Sequence, residues 1–489
     1  MSEQIDRLIV HYQKALLIKP DNAEIYINLA ELYYKRGQLD KTVTACETAL
    51  KIQPTLTGIS KILAGVLQQR GEVDAAFEMY NALGERLVKE GKLEEAIAAY
   101  GSAIEIKPDA YQTYYRVGEI FQRQSKLEEA ISFYIKVINI EPLFKDAYYK
   151  LKYYLDEIHR LNKGRIKLGL KHNYASIENA ATCLYKAVHR QPEFSLPYIC
   201  LGKLLTLQGK IKEAISCYQT ASYKGLLKSH PEFIQSYWDI KNSSQPNFFI
   251  IGTMKGGTTS LYSYLAHHPQ ILPAIEKEVL FFREDNFELG LDWYLAHFPP
   301  VPKGSNFLTG EATPWYYAIF EVEKVASLFP NLKIILMLRN PIERTFSHYQ
   351  MFFSEGRDKR SFSEVITSEI KRLKNFSSFN NYEVNYWSGE KRYLLMSLYL
   401  YFIEKWMAVF PKEQLLILKS EDFYANPAAT LTQVFEFLGV PDYSLPEYPN
   451  YNPGCYNLIS DDLRQTLADF FQPHNQKLEE YLGIKFDWK

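Results

Sequence analysis

The residues best equipped for chemistry gather in one loop. Asn247–Ile251 is a short, continuous apolar run, which predicts a strand buried on both faces. GTMKGGTTSL follows at once (252–261). Gly252, Gly256 and Gly257 allow a tight turn with backbone close to a ligand, and Thr258 opens a helix whose amides and dipole point back at that turn. The combination predicts an anion cradle, with Lys255 as its full positive charge and the hydroxyls of Thr258, Thr259 and Ser260 as further donors. It is not a Walker A loop, in which Lys directly precedes Ser/Thr; here Lys255 precedes two glycines, and nothing in the pattern obliges a metal ion. A second constellation follows a second apolar run, Lys333–Leu338: Arg339-Asn340-Pro341, then Arg344, Ser347 and Tyr349. Arg339 stands where that strand ends, Pro341 opens a helix, and Ser347 is about two turns in. The fixed donor fork of Arg suits a phosphate. For Arg344 the alternative is a surface ion pair with Glu343 or another acid.

GTMKGGTTSL resembles the 5′-phosphosulfate loop of sulfotransferases, which use the donor PAPS (3′-phosphoadenylyl sulfate) and release PAP. RNPxxRxxSxY from Arg339 resembles their 3′-phosphate site, so the resemblance implies that Arg339 and Ser347 hold that phosphate. Lys277-Glu278-Val279-Leu280-Phe281-Phe282 is similar to the KE-x-x-FF segment of the glycan-type, heparan-sulfate-like branch, in which the acidic residue takes the proton. On this reading Glu278 is the general base and Glu276 its competitor, while Lys255 neutralises charge developing on the bridging oxygen. The bland alternative for both acids is a helix-surface charge paired with Lys277. His267 and His268, in HHP after the loop helix, read as a capping turn. Gly310–Tyr316 resembles a segment bordering the acceptor pocket, and Leu415–Asp422 with Asn426-Pro427 a late strand and its following turn. Tyr448–Leu458 falls where the family closes a loop over the nucleotide but lacks its basic residues, and Ser397 stands before Tyr399 where Gly-x-Tyr is usual.

The elements that must position these residues form the second half of the chain. The first half is repetitive: Pro20 and Pro54 are 34 residues apart, as are Pro108 and Pro142, and Gly37 and Gly71. Aligned on Pro54, a unit reads Tyr26, Leu29, Ala30, Tyr33, Gly37, Thr42, Cys46, Ala49. The units ending at Pro108 and Pro142, and a later one from Tyr198 to Ala221, repeat the alternation of large and small residues. The pattern resembles the tetratricopeptide repeat: helical hairpins in which a glycine ends the first helix, a proline ends the second, and small residues let the helices approach. Such an array implies a concave surface for a protein or peptide partner. The basic stretch Asn162–His172 interrupts the period and reads as an inter-repeat loop, with a phosphate or glycan contact as the alternative.

The expected fold is therefore an α solenoid over 1–235, a linker over 236–246 around Lys241–Pro246, and an α/β domain with a central parallel sheet over 247–489. At 489 residues, 47% hydrophobic and 23% charged, the chain folds rather than stays disordered. Lys and Arg total 56 against 57 Asp and Glu, so no global field would hold a nucleic acid. Five widely spaced cysteines without CxxC, no secretory leader and no apolar run long enough to span a membrane predict a cytoplasmic protein. Many of its 37 tyrosines are expected to pack repeats, with Cys46 at a core position there. The acceptor expected from the resemblance is a glycan hydroxyl, ahead of a protein tyrosine or a lipid hydroxyl. A P-loop NTPase or kinase would need a Walker-type carboxylate where Arg339-Asn340 stands, and a scaffold with an inactive transferase domain is the remaining alternative.

Overall fold

The computed structural model describes residues 2–166, 175–241, 245–282, 284–319, 321–354, 356–373, 392–449, 451 and 459–488. Most of the basic stretch Asn162–His172, most of Tyr448–Leu458, part of the expected linker and Cys455 lie outside the described residues. By internal contacts the chain divides into two units, Met1–Pro192 and Glu193–Lys489. The division falls before the last repeat-like hairpin rather than near residue 235.

The first unit is a run of antiparallel helices. Ala23–Lys35 pairs with Leu39–Ile52, and Tyr111–Arg123 with Leu127–Ile140. Pro20, Pro54, Pro108 and Pro142 each stand two residues beyond a helix, as a residue that cannot continue one should. Gly37, Gly71 and Gly91 turn the chain with φ of 71–78°, and Ser125 takes the same left-handed turn at φ 58°. The small positions are spaces for rings: a Cβ on Gly84 would meet Tyr100 at 2.6 Å, and one on Gly118 would meet Tyr134 at 2.8 Å. In the first hairpin the equivalent pair is Ala30 and Cys46, both fully buried, so a smaller partner faces a larger one. Burial pushes the thiols of Cys46 and Cys183 up to about 12. Between Pro54 and Pro108 the array departs from a simple hairpin, because Val73–Lys89 packs against both Thr57–Gln69 and Leu93–Ile106.

The second unit opens with a hairpin, Ser195–Leu207 and Ile211–Ser229, whose landmarks repeat those of the array: a Cβ on Gly202 would overlap the Tyr218 ring, and Gly209 turns at φ 73°. Its core is a parallel five-stranded sheet of β1 (Phe248–Gly252), β2 (Ile271–Pro273), β3 (Leu308–Glu311), β4 (Lys333–Leu338) and β5 (Leu415–Lys419), in the order β2-β3-β1-β4-β5. Every β1 residue is buried, which accounts for its unbroken apolar run. Phe248 and Ile250 face a core shared with Leu261, Leu265, Val434 and Phe435, while Phe249 points the other way onto Phe282, Tyr316 and Phe329. Tyrosines thus fill this domain as well as the repeats: Tyr294, Tyr316, Tyr317, Tyr393 and Tyr399 are nearly or fully buried. Among the described residues no helix is long and apolar enough to cross a membrane. The chain order reverses about β1, so the crevice beyond the carboxyl ends of β1 and its neighbours is where such a sheet places a ligand.

Candidate active site

The expected loop occupies that edge. Beyond β1, the Thr253 amide and hydroxyl both donate to Met337 O of β4, at 2.8 and 2.9 Å, and the Gly256 amide returns to Thr253 O at 2.9 Å. Lys255 has φ 71°, and Gly257, at φ 97°, caps the helix Thr258–Leu265. A Cβ on Gly256 would stand 2.9 Å from Met337 O, and one on Gly257 3.0 Å from the Tyr424 hydroxyl, so both positions require glycine. The hydroxyl of Ser420, just past β5, donates to Gly256 O at 2.7 Å. The first helical bond of the following helix is Leu261 N to Gly257 O, which leaves the amides of its first turn outside the intrahelical ladder. Thr258 and Ser260 are buried there, Lys255 and Thr259 half-buried.

Arg339 reaches this loop from the end of β4. Its Nη1 donates to Lys255 O at 3.0 Å, and its guanidinium lies 6.0 Å from the centroid of the Tyr424 ring. The backbone around it is tied down as well. Tyr399 donates to Arg339 O at 2.6 Å, and the Asn340 amide to Glu421 Oε1 at 2.7 Å, while Glu421 Oε2 accepts from Trp488 Nε1 at 3.2 Å. Glu421 thereby serves an arginine-bearing turn and the last aromatic of the chain. Ser347 sits in the helix Pro341–Ser354 with its side chain buried. Lys255 and Arg339 are thus brought into contact, and Ser347 follows on the helix that Arg339 leads into.

Arg344 differs from the expected surface pair. It is fully buried, donating from Nε to Ser397 Oγ at 2.6 Å and from Nη2 to Tyr393 O, with Nη1 3.4 Å from His348 Nδ1. Glu343 pairs with Arg464 instead, at 2.7 Å. The physical reason is helix geometry: successive residues point about 100° apart, so Glu343 faces out where Arg344 faces the core. The Ser397 hydroxyl, an oddity in the sequence, is the guanidinium's partner. His267 is exposed, with Nδ1 2.7 Å from Ser263 O, whereas His268 is buried. Gln270 N donates to His268 Nδ1 at 3.0 Å, so the other nitrogen carries the proton toward Pro441 O, 2.9 Å away, and burial pulls this imidazole below its ordinary value.

The segment with both candidate bases is an irregular bend, not the helix surface that the bland alternative required. Glu278 is 38% exposed along its side chain, with its carboxylate 2.5 Å from Lys277 Nζ. Glu276 is 4% exposed and paired at 2.7 Å with Lys203, so the two acids have different surroundings: one reaches solvent and one is locked. The bend hangs on a carboxylate of the Gly310–Tyr316 segment to which the sequence reading gave no role of its own. Glu311, at the end of β3 and fully buried, accepts from Val279 N (3.1 Å), Thr313 (2.5 Å), Tyr294 (2.5 Å) and Tyr316 (3.2 Å). Burial pushes its carboxyl up to about 7 against the pull of these donors. Two further bonds fix the bend, Ala312 N to Lys277 O at 2.8 Å and Phe281 N to the Tyr316 hydroxyl at 2.8 Å. The signal was present: Glu311 is the one acid of the short strand LTGE and stands at its end. Since β3 pairs with β1 in parallel, Phe249 opposite Glu311, the bend and the glycine loop share one edge of the sheet.

Residues 245–448 match the model of the sulfotransferase domain, while 4–37 and 84–125, and 23–56 and 111–142, match two models of the tetratricopeptide repeat. The chain carries a sulfotransferase domain behind tetratricopeptide repeats. It is 31% identical over 275 residues to the bifunctional heparan sulfate N-deacetylase/N-sulfotransferase 3 of Homo sapiens, covering 48% of this chain and 30% of that protein. To the N-deacetylase/N-sulfotransferase 4 of Mus musculus it is 33% identical, with the same coverage. The membrane-associated sulfotransferase kil1 of Dictyostelium discoideum is 27% identical over 316 residues, half of this chain and 66% of that one. The chain thus spans about 30% of the length of the heparan sulfate relatives it matches. Among solved structures, a sulfotransferase from Alicyclobacillus acidocaldarius is similar at 28% identity and a TM-score of 0.40, over 50% of this chain and 97% of that one. The MamA protein is similar at 17% identity and a TM-score of 0.24, over 45% and 97%.

Proposed function

We propose that the domain transfers a sulfuryl group from PAPS to an acceptor hydroxyl on a glycan. The observation that carries this reading is the bond from Arg339 Nη1 to Lys255 O, which joins the predicted 3′-phosphate element to the predicted 5′-phosphosulfate loop. The donor set suits a phosphate, since the first-turn amides of the helix Thr258–Leu265 stand outside its intrahelical ladder beside Lys255. Gly256, Gly257 and the first-turn amides of Thr258, Thr259 and Ser260 would hold the 5′ end, and Arg339 with Ser347 the 3′-phosphate. PAPS supplies the activated sulfuryl group.

Glu278 takes the acceptor's proton as the acceptor oxygen attacks sulfur in line with the departing phosphate, and Lys255 balances charge on the bridging oxygen. The S–O bond to the acceptor forms as the S–O bond to the nucleotide phosphate breaks. Both acids pair with a lysine, but Glu278 reaches solvent and so an incoming acceptor, while Glu276 is buried. An amino acceptor is a second reading, favoured by relatives named as heparan sulfate N-sulfotransferases. The repeats would hold a protein or peptide partner, and the buried thiols of Cys46 and Cys183, which form no disulfide, suit a reducing compartment such as the cytoplasm. The test is transfer of radiolabelled sulfate from PAPS to glycans bearing free hydroxyls, glycans bearing free amines, tyrosyl peptides and lipid hydroxyls, beside calorimetric binding of PAP. Label on the hydroxyl glycan supports the reading. Label confined to the amine moves the acceptor, and failure to bind PAP overturns the proposal.

A further inference from the structure

The bend Ile275–Leu280 is gripped from two directions. Glu311 holds Val279 from the sheet. From the other side the grip comes from the repeat-like hairpin that opens the second unit: Lys203 Nζ, on Ser195–Leu207, lies 2.7 Å from Glu276 Oε2, with both side chains nearly buried. A polar network surrounds the pair. Trp293 Nε1 donates to Thr206 Oγ1 at 3.0 Å; that hydroxyl donates to Gly202 O at 2.9 Å and lies 3.2 Å from the Tyr218 hydroxyl. The Tyr218 ring packs on His297 with centroids 4.2 Å apart, and His297 Nε2 is 3.9 Å from Glu276 Oε2. Burial drives the His297 imidazole down to about 4, so it stays neutral, and the ammonium of Lys203 faces the Glu276 carboxylate. Farther along, Leu226 and Phe233 pack on Leu272 of β2, and the Phe233 ring meets Phe307 at 5.0 Å. The hairpin is therefore built into the wall behind the bend.

We propose that Lys203 is a positioning residue of the transferase: by fixing Glu276 it sets the path of the backbone two residues before the base, and so the place of the Glu278 carboxylate. This rests on Glu278 being the base. A repeat-derived residue would then govern turnover without touching donor or acceptor, because small misplacements of a catalytic group are costly to rate.

The experiment uses the full chain and Lys203→Met, which keeps the stem and removes the charge. Expected are PAP affinity within about twofold of wild type, an unchanged KM for PAPS and a kcat lower by about 10²-fold. Amide exchange over 275–281 should rise by about tenfold or more, with β1 and the helix 258–265 unaffected. Lys203→Arg should restore most of kcat. The double variant Lys203→Met/Glu276→Gln removes both charges of the pair, so it should recover the melting temperature but not kcat. Unchanged kcat, unchanged exchange over 275–281, or recovery of kcat in the double variant each overturns the proposal. If the wild-type chain binds PAP but transfers no sulfate, the transfer reading fails by itself. Lys203 is then judged on exchange alone: faster exchange over 275–281 supports the clamp and unchanged exchange overturns it.

Discussion

At the residue scale, Arg339 and Glu278 divide binding from chemistry. Arg339→Ala removes a charged donor fork and frees Lys255 O, so PAP affinity measured by calorimetry should fall by about 10²-fold or more. Glu278→Gln keeps the shape of the bend and should bind PAP as wild type does, while turnover falls by about 10²–10⁴-fold. Retained turnover would hand the role of base to Glu276 or a histidine. Glu311 makes a separate prediction about pH. Its carboxyl is raised from 4.5 to about 7 by burial, so the folded chain holds that proton more tightly than the unfolded one. The resulting stability is full below pH 4.5 and is lost as pH rises through about 7. Glu369, raised to about 7 by its own burial, adds a slope of the same sign. Melting temperature should therefore decline between those values, and Glu311→Gln should make the decline shallower. A slope equal to that of wild type would assign the titration to Glu369.

At the scale of elements, the hairpins depend on absent side chains. Gly118→Ala drives a methyl into the Tyr134 ring and should cost about 1–3 kcal/mol in chemical denaturation. Gly101→Ala, in a helix where a Cβ meets nothing within 4 Å, should instead be neutral or stabilising by up to about 1 kcal/mol. Equal effects at the two sites would remove close approach as the reason for the small residue. This alternation was legible in sequence because it recurs at fixed spacing and is local. The glycine loop and the Arg339 turn were legible for a like reason: each is a short run just after a buried strand. The double use of Val73–Lys89 was not, since the period cannot show that one helix packs on both neighbours.

At the scale of the whole molecule, the residues missed are those whose partners lie far away in sequence. Arg344 meets Ser397 across 53 residues, Glu311 meets Val279 across 32, and Lys203 meets Glu276 across more than 70. A lone lysine on a repeat helix carries no mark of the carboxylate it will meet. The hairpin also decides where the chain can be cut. A chain starting at Glu193 keeps the Lys203–Glu276 pair, whereas one starting at Gln245 loses Lys203 and uncovers Glu276, Trp293, His297 and Leu272. The shorter chain should be less stable, read as a lower melting temperature, because the apolar surface that Tyr218, Leu226 and Phe233 cover is returned to water. Equal melting temperatures would make the hairpin dispensable to the domain.

An array of helical repeats normally closes on a capping hairpin with a polar outer face. The hairpin 195–229 has surrendered that face, since Lys203, Thr206 and Tyr218 are taken up by Glu276, Trp293 and His297. Within the second unit, the transferase covers the face that such a hairpin would show to water. A lineage that let the enzyme decay while keeping its repeats would uncover a lysine, a hydroxyl and a ring shaped for partners no longer there. Selection for a sound scaffold would then preserve the fold of the enzyme, and a recombination that exchanges one array for another would have to join the chains near Pro192, ahead of the hairpin.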